Sequence, residues 1–143
     1  MLVEQISVFI ENKKGRLSEI ADTVAAAGID ISALSLADTD EYGVLRMIVS
    51  DPHRTKEVLR ESGVVGKVTK VLAIAIEDKP GGFASTLHRL TDAGIEVRYM
   101  YAGVSHQKGK AIMIVSVEDP EKAEAVLADS GMGAINPNDI YRD

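Results

Sequence analysis

The sequence predicts an α+β protein of two β-α-β-β-α-β modules, each an antiparallel sheet with both helices on one face. Three observations carry that prediction. The chain repeats itself: residues 6–31 lie over residues 72–97 without a gap, and after a slip of two residues 49–63 lies over 117–131. Within each copy, runs with apolar residues at every second position alternate with runs whose apolar residues recur at three and four. Gly, Pro or Asp marks each change of period. The identities fall where the backbone is demanding, at Ile10/Ile76, Glu11/Glu77, Lys13/Lys79, Gly15/Gly81, Ala27/Ala93, Gly28/Gly94 and Ile29/Ile95. Each copy, residues 1–69 and 70–143, is small for a hydrophobic core of its own. The copies are therefore expected to share a surface, and such surfaces are common ligand sites.

In the first copy, Ile6, Val8 and Ile10 alternate with polar residues over 3–10, which predicts a strand with Phe9 on its less buried face. Residues 11–15 form a turn, and Gly15 supplies freedom where the chain enters a helix. Leu17, Ile20, Ala21 and Val24 then recur at helical spacing, and Gly28 stops the helix. Residues 29–38 form a second strand. Ile31 has opposite parity to Leu34 and Leu36, so a bulge is expected near Ser32–Ala33. Asp38–Gly43 is a hairpin loop and 44–50 a third strand. Asp51–Pro52 starts a helix, since Asp accepts from the free N–H groups and Pro is tolerated at the first position. Val58 and Leu59 face inward from it, Gly63 ends it, and 64–68 is a short fourth strand.

The second copy follows almost at once. It reads strand 71–77, turn 78–82, helix 83–93, strand 95–105, hairpin loop His106–Lys110 and strand 111–117. Asp119–Pro120 starts a helix that ends at Gly131, and a weak last strand is expected near 134–141, kept short by Asn136–Pro137–Asn138. This is the ferredoxin-like order. The face of each sheet without helices is left to meet a neighbour, and the copies join edge to edge or pack face to face. Open faces and short edges need covering, so a homodimer is expected.

Composition excludes several functions. The chain has 143 residues, 45% hydrophobic and 27% charged, with a net charge of −6. An acidic surface repels phosphate backbones, and two Phe with no Trp supply few stacking platforms, so no nucleic-acid partner is expected. No apolar run approaches a membrane span, and the N-terminus is too short and too alternating for a signal peptide. The chain has no Cys, which removes disulfides, thiolate zinc sites and thiol nucleophiles and fits a cytoplasmic setting.

The turns carry the functional signal. Asn12-Lys13-Lys14-Gly15-Arg16-Leu17 is followed by Gly28-Ile29-Asp30-Ile31, and Asp78-Lys79-Pro80-Gly81-Gly82-Phe83 by Gly94-Ile95-Glu96-Val97. In this pattern the chain resembles a tandem pair of ACT domains, the small amino-acid-sensing modules attached to many biosynthetic enzymes. The resemblance covers essentially the whole chain, leaving nothing for a catalytic domain, and implies a free-standing amino-acid-binding regulatory protein. Two departures stand out: the position often Asn at the start of the second strand is Asp30 or Glu96, and Pro-Gly is intact only in the second copy.

An amino-acid zwitterion needs donors for its carboxylate, acceptors for its ammonium and a pocket for its side chain. Gly15 and Gly81 lead into helix N-termini, whose unpaired N–H groups attract a carboxylate. Arg16 and Gly82 follow them. Asn12 with Asp30, or Asp78 with Glu96, is suited to the ammonium; Leu17 and Phe83 would form apolar walls, with Ile31 and Val97 beside them. In ACT proteins the ligand usually sits where two such edges meet. The plain structural roles of these residues are turn glycines and turn caps. Tyr99 and Tyr101 share a face with Val97, where they pack in the core or wall a pocket.

His53, His88 and His106 match no metal spacing, and no nucleophile–base set appears, so neither enzyme activity, metal nor cofactor is expected. The resemblance implies a small amino-acid ligand and a biosynthetic enzyme as partner. The competing function is a non-catalytic interaction subunit, like that of acetolactate synthase, which docks on an enzyme and binds nothing small.

Overall fold

A computed structural model describes residues 1–38, 41–129 and 135–141. Its elements run β1 (Leu2–Glu11), α1 (Arg16–Ala26), β2 (Ile31–Asp38), β3 (Tyr42–Val49), α2 (Pro52–Glu61), β4 (Gly66–Glu77), α3 (Gly82–Asp92), β5 (Val97–Gly103), β6 (Lys110–Val117), α4 (Pro120–Asp129) and α5 (Pro137–Ile140). The protein is α+β. It divides into two compact units: Glu4–Thr69, and Met1–Val3 with Lys70–Asp143.

In the first unit β3 is central. It pairs antiparallel with β1 from Ile6↔Met47 to Glu11↔Tyr42, and with β2 from Ile31↔Val49 to Asp38↔Gly43. The period of two puts Ile6, Val8 and Ile10 of β1 on the same face as Leu45, Met47 and Val49 of β3. Ile20 and Val24 of α1 and Leu59 of α2 close over that face, so both helices lie on one side. Burying a side chain of this size contributes about 1.5–3 kcal/mol. The register shifts between Ile31 and Ala33, the bulge expected from the change of parity. Phe9 is exposed, as its place in the alternation requires. Asp51 caps α2, accepting from the Arg54 amide at 3.0 Å.

The second unit repeats this plan. β6 pairs antiparallel with β4, from Leu72↔Val115 to Glu77↔Lys110, and with β5. Leu72, Ile74, Ile76, Val115 and Val117 form the core with Leu90 of α3 and Ala123 and Leu127 of α4. Asp119 caps α4, accepting from the Lys122 amide at 3.1 Å.

Four features depart from the sequence reading. The expected strands 64–68 and 71–77 run as one strand, Gly66–Glu77, because no turn residue separates them. Met1–Val3 groups with the second unit: the Met1 ammonium donates to the Ala73 carbonyl at 3.1 Å, and the Ala73 amide donates back to Met1 at 2.8 Å. A strand whose alternation is unbroken gives no sign of where its partner changes. The last strand expected near 134–141 is instead, over 137–140, the short helix α5. Pro137 suits a first helical position, Asn136 and Asp139 complete a capping box, and Ile140 is buried. The expected end of α4 at Gly131 and residues 39–40 of the first hairpin loop lie outside the described residues. Finally, a second register shift lies between Val97 and Tyr99. It places Val97 with the helix-side core, while Tyr99 and Tyr101, opposite Ser116 and Ile114, belong to the other face. The alternation Val-Arg-Tyr-Met-Tyr conceals the extra residue.

Candidate ligand site

Among the described residues, the four longer helices begin in two different ways. α2 and α4 each have an aspartate whose carboxylate accepts an amide of the first turn. α1 and α3 are entered through Gly15 (φ 85°) and Gly81 (φ 86°), and no side chain caps either of them. A residue with a side chain is disfavoured at this left-handed φ, and among the described residues none adopts a positive φ except glycine. The turns are built alike. The Arg16 and Gly82 amides donate to Lys13 and Lys79 at 3.1 and 3.0 Å, and the Glu19 and Ser85 amides donate to Gly15 and Gly81 at 3.0 and 2.9 Å. Neither helix start is capped by a side chain; α1 has Glu19 in its first turn, and α3 has no acidic residue there.

Charged groups gather beside both turns. Glu11 pairs with Lys13 at 2.7 Å; Glu77 pairs with Lys79 at 2.5 Å and with Lys110 at 3.9 Å. The hydrogen bond from Lys13 holds the Glu11 carboxyl below its ordinary value, and that from Lys79 does the same for Glu77, helped by the charge of Lys110. The same contacts raise Lys13 and Lys79. Asn12 donates from its side chain to Asp38 at 2.6 Å, which ties the first turn to the β2–β3 hairpin. The Asp78 amide donates to Gly109 at 3.1 Å in the second copy.

The copies differ at the position after the turn glycine. Arg16 points its guanidinium at Glu19, 3.1 Å away. Gly82 sits so close to the Glu77 carbonyl oxygen that a Cβ there would collide with it. Beside Gly81 and Gly82 lies a cavity of about 500 Å³, walled by Glu77, Lys79, Ser85 and Arg89. In the first copy a hollow of about 230 Å³ lies between α1 and α2, walled by Arg16, Glu19, Ile20, Thr23 and Leu59.

Within a unit the expected ammonium pairs do not converge. β1 and β2 both run antiparallel to β3, so they are parallel to each other and α1 carries the chain back to the starting end. Asn12 therefore lies at the hairpin end, near Asp38 and Glu41, while Asp30 lies at the other end, its amide donating to the Ser50 hydroxyl at 3.1 Å. Ile31 and Val97 pack against the cores. Glu96 lines a separate cavity of about 670 Å³ at the start of α4. That cavity is larger but suits a carboxylate less, because Glu96, Glu118, Asp119 and Glu121 on its walls outnumber Arg98 and Lys122, and Asp119 already caps the helix. Leu17 and Phe83 are partly exposed on their first turns, and neither Phe83 nor Asp78 lines the 500 Å³ cavity.

Of the residues that wall that cavity, only Gly81 and Gly82 stood among the expected ligand residues; Glu77, Lys79, Ser85, Thr86, Arg89 and Lys110 did not. Ser85 and Arg89 were legible, since 82, 85 and 89 follow one another along a helix face. Lys110 needed the register Glu77↔Lys110 between β4 and β6, strands separated in the chain by α3 and β5. Among the described residues no group of three or more His, Asp or Glu is placed to hold a metal, and no helix is long and apolar enough to cross a membrane.

Comparison with known proteins agrees with this architecture. A family model described as an ACT domain pair matches residues 1–142. A protein of Bacteroides thetaiotaomicron known from its crystal structure is 31% identical, with a TM-score of 0.90 over 100% of this chain and 98% of that one. The regulatory subunit of aspartate kinase from Thermus thermophilus, in a ligand-free form, is 15% identical with a TM-score of 0.65 over 90% of each chain. The corresponding subunit from Thermus flavus is 14% identical with a TM-score of 0.63, over 92% of this chain and 95% of that one. None of the curated proteins matches the sequence.

Proposed function

The chain belongs to the ACT domain family, as a pair of such domains, and on that premise we propose that it is a non-catalytic regulatory protein that binds a small amino acid at its glycine turns. The observation that carries the reading is the contrast between helix N-termini. Aspartates cap α2 and α4, whereas α1 and α3 are left uncapped behind a left-handed glycine. A ligand carboxylate supplies what Asp51 and Asp119 supply elsewhere. Glu77 and Asp78, or Glu11 and Asp38, accept from the ammonium. The full proposed set is Asn12, Gly15, Arg16, Leu17, Asp30 and Ile31 from the first copy, and Asp78, Gly81, Gly82, Phe83, Glu96 and Val97 from the second. The residues at strand starts serve a ligand only through an edge brought from outside their own unit.

Binding then acts by favouring one state of an oligomer or of a partner enzyme, and only to the extent that the ligand prefers that state. A cytoplasmic homodimer is the proposed working form. Support for an enzyme partner comes from the fold, which the regulatory subunit of aspartate kinase in Thermus thermophilus shares along nearly its whole length. The same likeness supports the second reading, a docking subunit without a ligand.

A thermal-shift screen of the twenty amino acids separates the two readings. A ligand of the folded form raises the melting temperature by mass action, by about 2.7 kcal/mol of stability at a hundred times its Kd. At least one amino acid is expected to do so at millimolar concentration, and the shift is expected to disappear in Gly81→Val. Space at Gly81 is open to an added Cβ, and the left-handed φ adds backbone strain to that variant. If all twenty amino acids leave the melting temperature unchanged, the docking subunit is the correct reading.

A further inference from the structure

Resting on the proposed homodimer, we infer that a second copy of this chain docks on the helix-free face of the first unit, along a row of exposed apolar side chains. The row follows from the period of two. Ile6, Val8 and Ile10 of β1 and Leu45 and Met47 of β3 point into the core, so Phe9 and Val44 point the other way. Phe9 lies opposite Val44, and Val44 opposite Ala37, so all three share that face. Val65 continues the row beyond Phe9, whose amide donates to the Val65 carbonyl at 3.4 Å. Val64 belongs to the core, and a Cβ added at Gly66 would meet Ile6. Both therefore point to the helix side, and Val65 and Lys67 point away from it. Tyr42 stands next to the row, opposite Glu11. Phe9 is 59% exposed, Val65 71% and Tyr42 55%.

The second unit, built on the same plan, does not repeat this row. Ala75, Ile112 and Gly103 stand at the places of Phe9, Val44 and Ala37, and Ile112 is buried. The exposed aromatic is thus a feature of the first unit and not of the module. Exposed apolar surface rimmed by polar groups marks a protein contact, and aromatic side chains are enriched at the centres of such contacts. Charge names the occupant. The pairing of β1 with β4 passes from Phe9 and Val65 to Met1 and Ala73, so the strands are antiparallel and Lys67 and Glu11 lie on opposite flanks of the row. Lys67 is exposed and has no partner among the described residues. Lys13 takes Oε2 of Glu11 at 2.7 Å in a pair open to water, and Oε1 has no partner among the described residues. A cation on one flank and a carboxylate on the other make the face complementary to itself. A two-fold axis laid along the row sets Phe9 against Phe9, and brings Lys67 of each copy to the flank where the other has Glu11. Arg46, between Ser7 and Ser35 on the same face, already has a partner and adds nothing to this match.

The test measures the mass of the full chain in solution by analytical sedimentation over a range of concentrations. A reversible dimer is expected. Phe9→Asp and Val65→Asp, both at exposed positions outside the core, are each expected to weaken it by about tenfold or more. Val104→Asp, at an exposed valine outside the row, is expected to leave it unchanged. Lys67→Glu is expected to weaken the dimer by about three- to tenfold, because it sets carboxylate against carboxylate, and adding Glu11→Lys to that variant is expected to restore it. A dimer untouched by Phe9→Asp and Val65→Asp would overturn this surface and leave the homodimer standing. Failure of Glu11→Lys to restore the dimer would overturn the two-fold arrangement. A chain that stays monomeric at every concentration would remove both this inference and the homodimer beneath it.

Discussion

Gly81 and Gly82 exclude side chains for different reasons. At Gly81 the backbone is left-handed but the space is open; at Gly82 an added Cβ would strike the Glu77 carbonyl. Gly81→Ala is therefore expected to cost about 1 kcal/mol of stability, and Gly82→Ala more, about 1–3 kcal/mol, because backbone must give way. Denaturant melts of the two variants give the order directly. The neighbouring carboxyls make a second prediction. Hydrogen bonds from Lys13 and Lys79 hold Glu11 and Glu77 below their ordinary values. A carboxyl whose folded pKa is depressed adds stability that is present above its unfolded pKa and lost as pH falls through the folded one. Both pairs are exposed, so the contribution is small. NMR titration of the side-chain carboxyls should show low midpoints at Glu11 and Glu77, and Lys13→Met should return Glu11 toward its ordinary value. An unmoved Glu11 in that variant would assign the shift to something other than Lys13.

At the scale of elements, stability rests on two helices laid across each sheet. Leu59 of α2 is fully buried among Ile6, Val8 and Met47, so Leu59→Ala should cost about 2–5 kcal/mol. Asp51→Ala, which removes only the cap, should cost about 1 kcal/mol. Most elements were legible because local chemistry and long-range packing agree. The Asp-Pro starts, the glycine stops and the period-two strands all point to what forms. The bulge at Ser32 showed through because large side chains change parity across it. Its counterpart at Arg98 did not, because Val97, Tyr99 and Tyr101 keep an apparent alternation. α5 was misread as a strand because a four-residue helix has no periodicity to detect; its evidence was the capping box Asn136–Asp139 after all. Of the candidate site, the glycine turns were legible from the repeat itself. Lys110 was not, because it reaches the cavity wall beside them only through the register of β4 with β6, strands that are not consecutive in the chain.

Over the whole molecule, one module written twice has been put to unequal use. Both copies keep the turn, the left-handed glycine and the uncapped helix, but they place different residues after them: Arg16 and Glu19 in the first, Gly82 and Ser85 in the second. The second unit also draws on the start of the chain, through the paired hydrogen bonds of Met1 and Ala73 and the Leu2 amide on Glu124 at 2.6 Å. Removing residues 1–3 should therefore expose the Ala73 amide to fast hydrogen exchange while the core amides of the first unit keep their protection. The central claim is that an amino acid's carboxylate docks on a helix start that no side chain caps. Amide chemical shifts followed by NMR during titration with the best amino acid from the screen test it most directly. The Phe83 and Ala84 amides are predicted to move and saturate together, while the capped amides of Arg54 and Lys122 stay in place. Saturating shifts elsewhere, with the start of α3 unmoved, would contradict it.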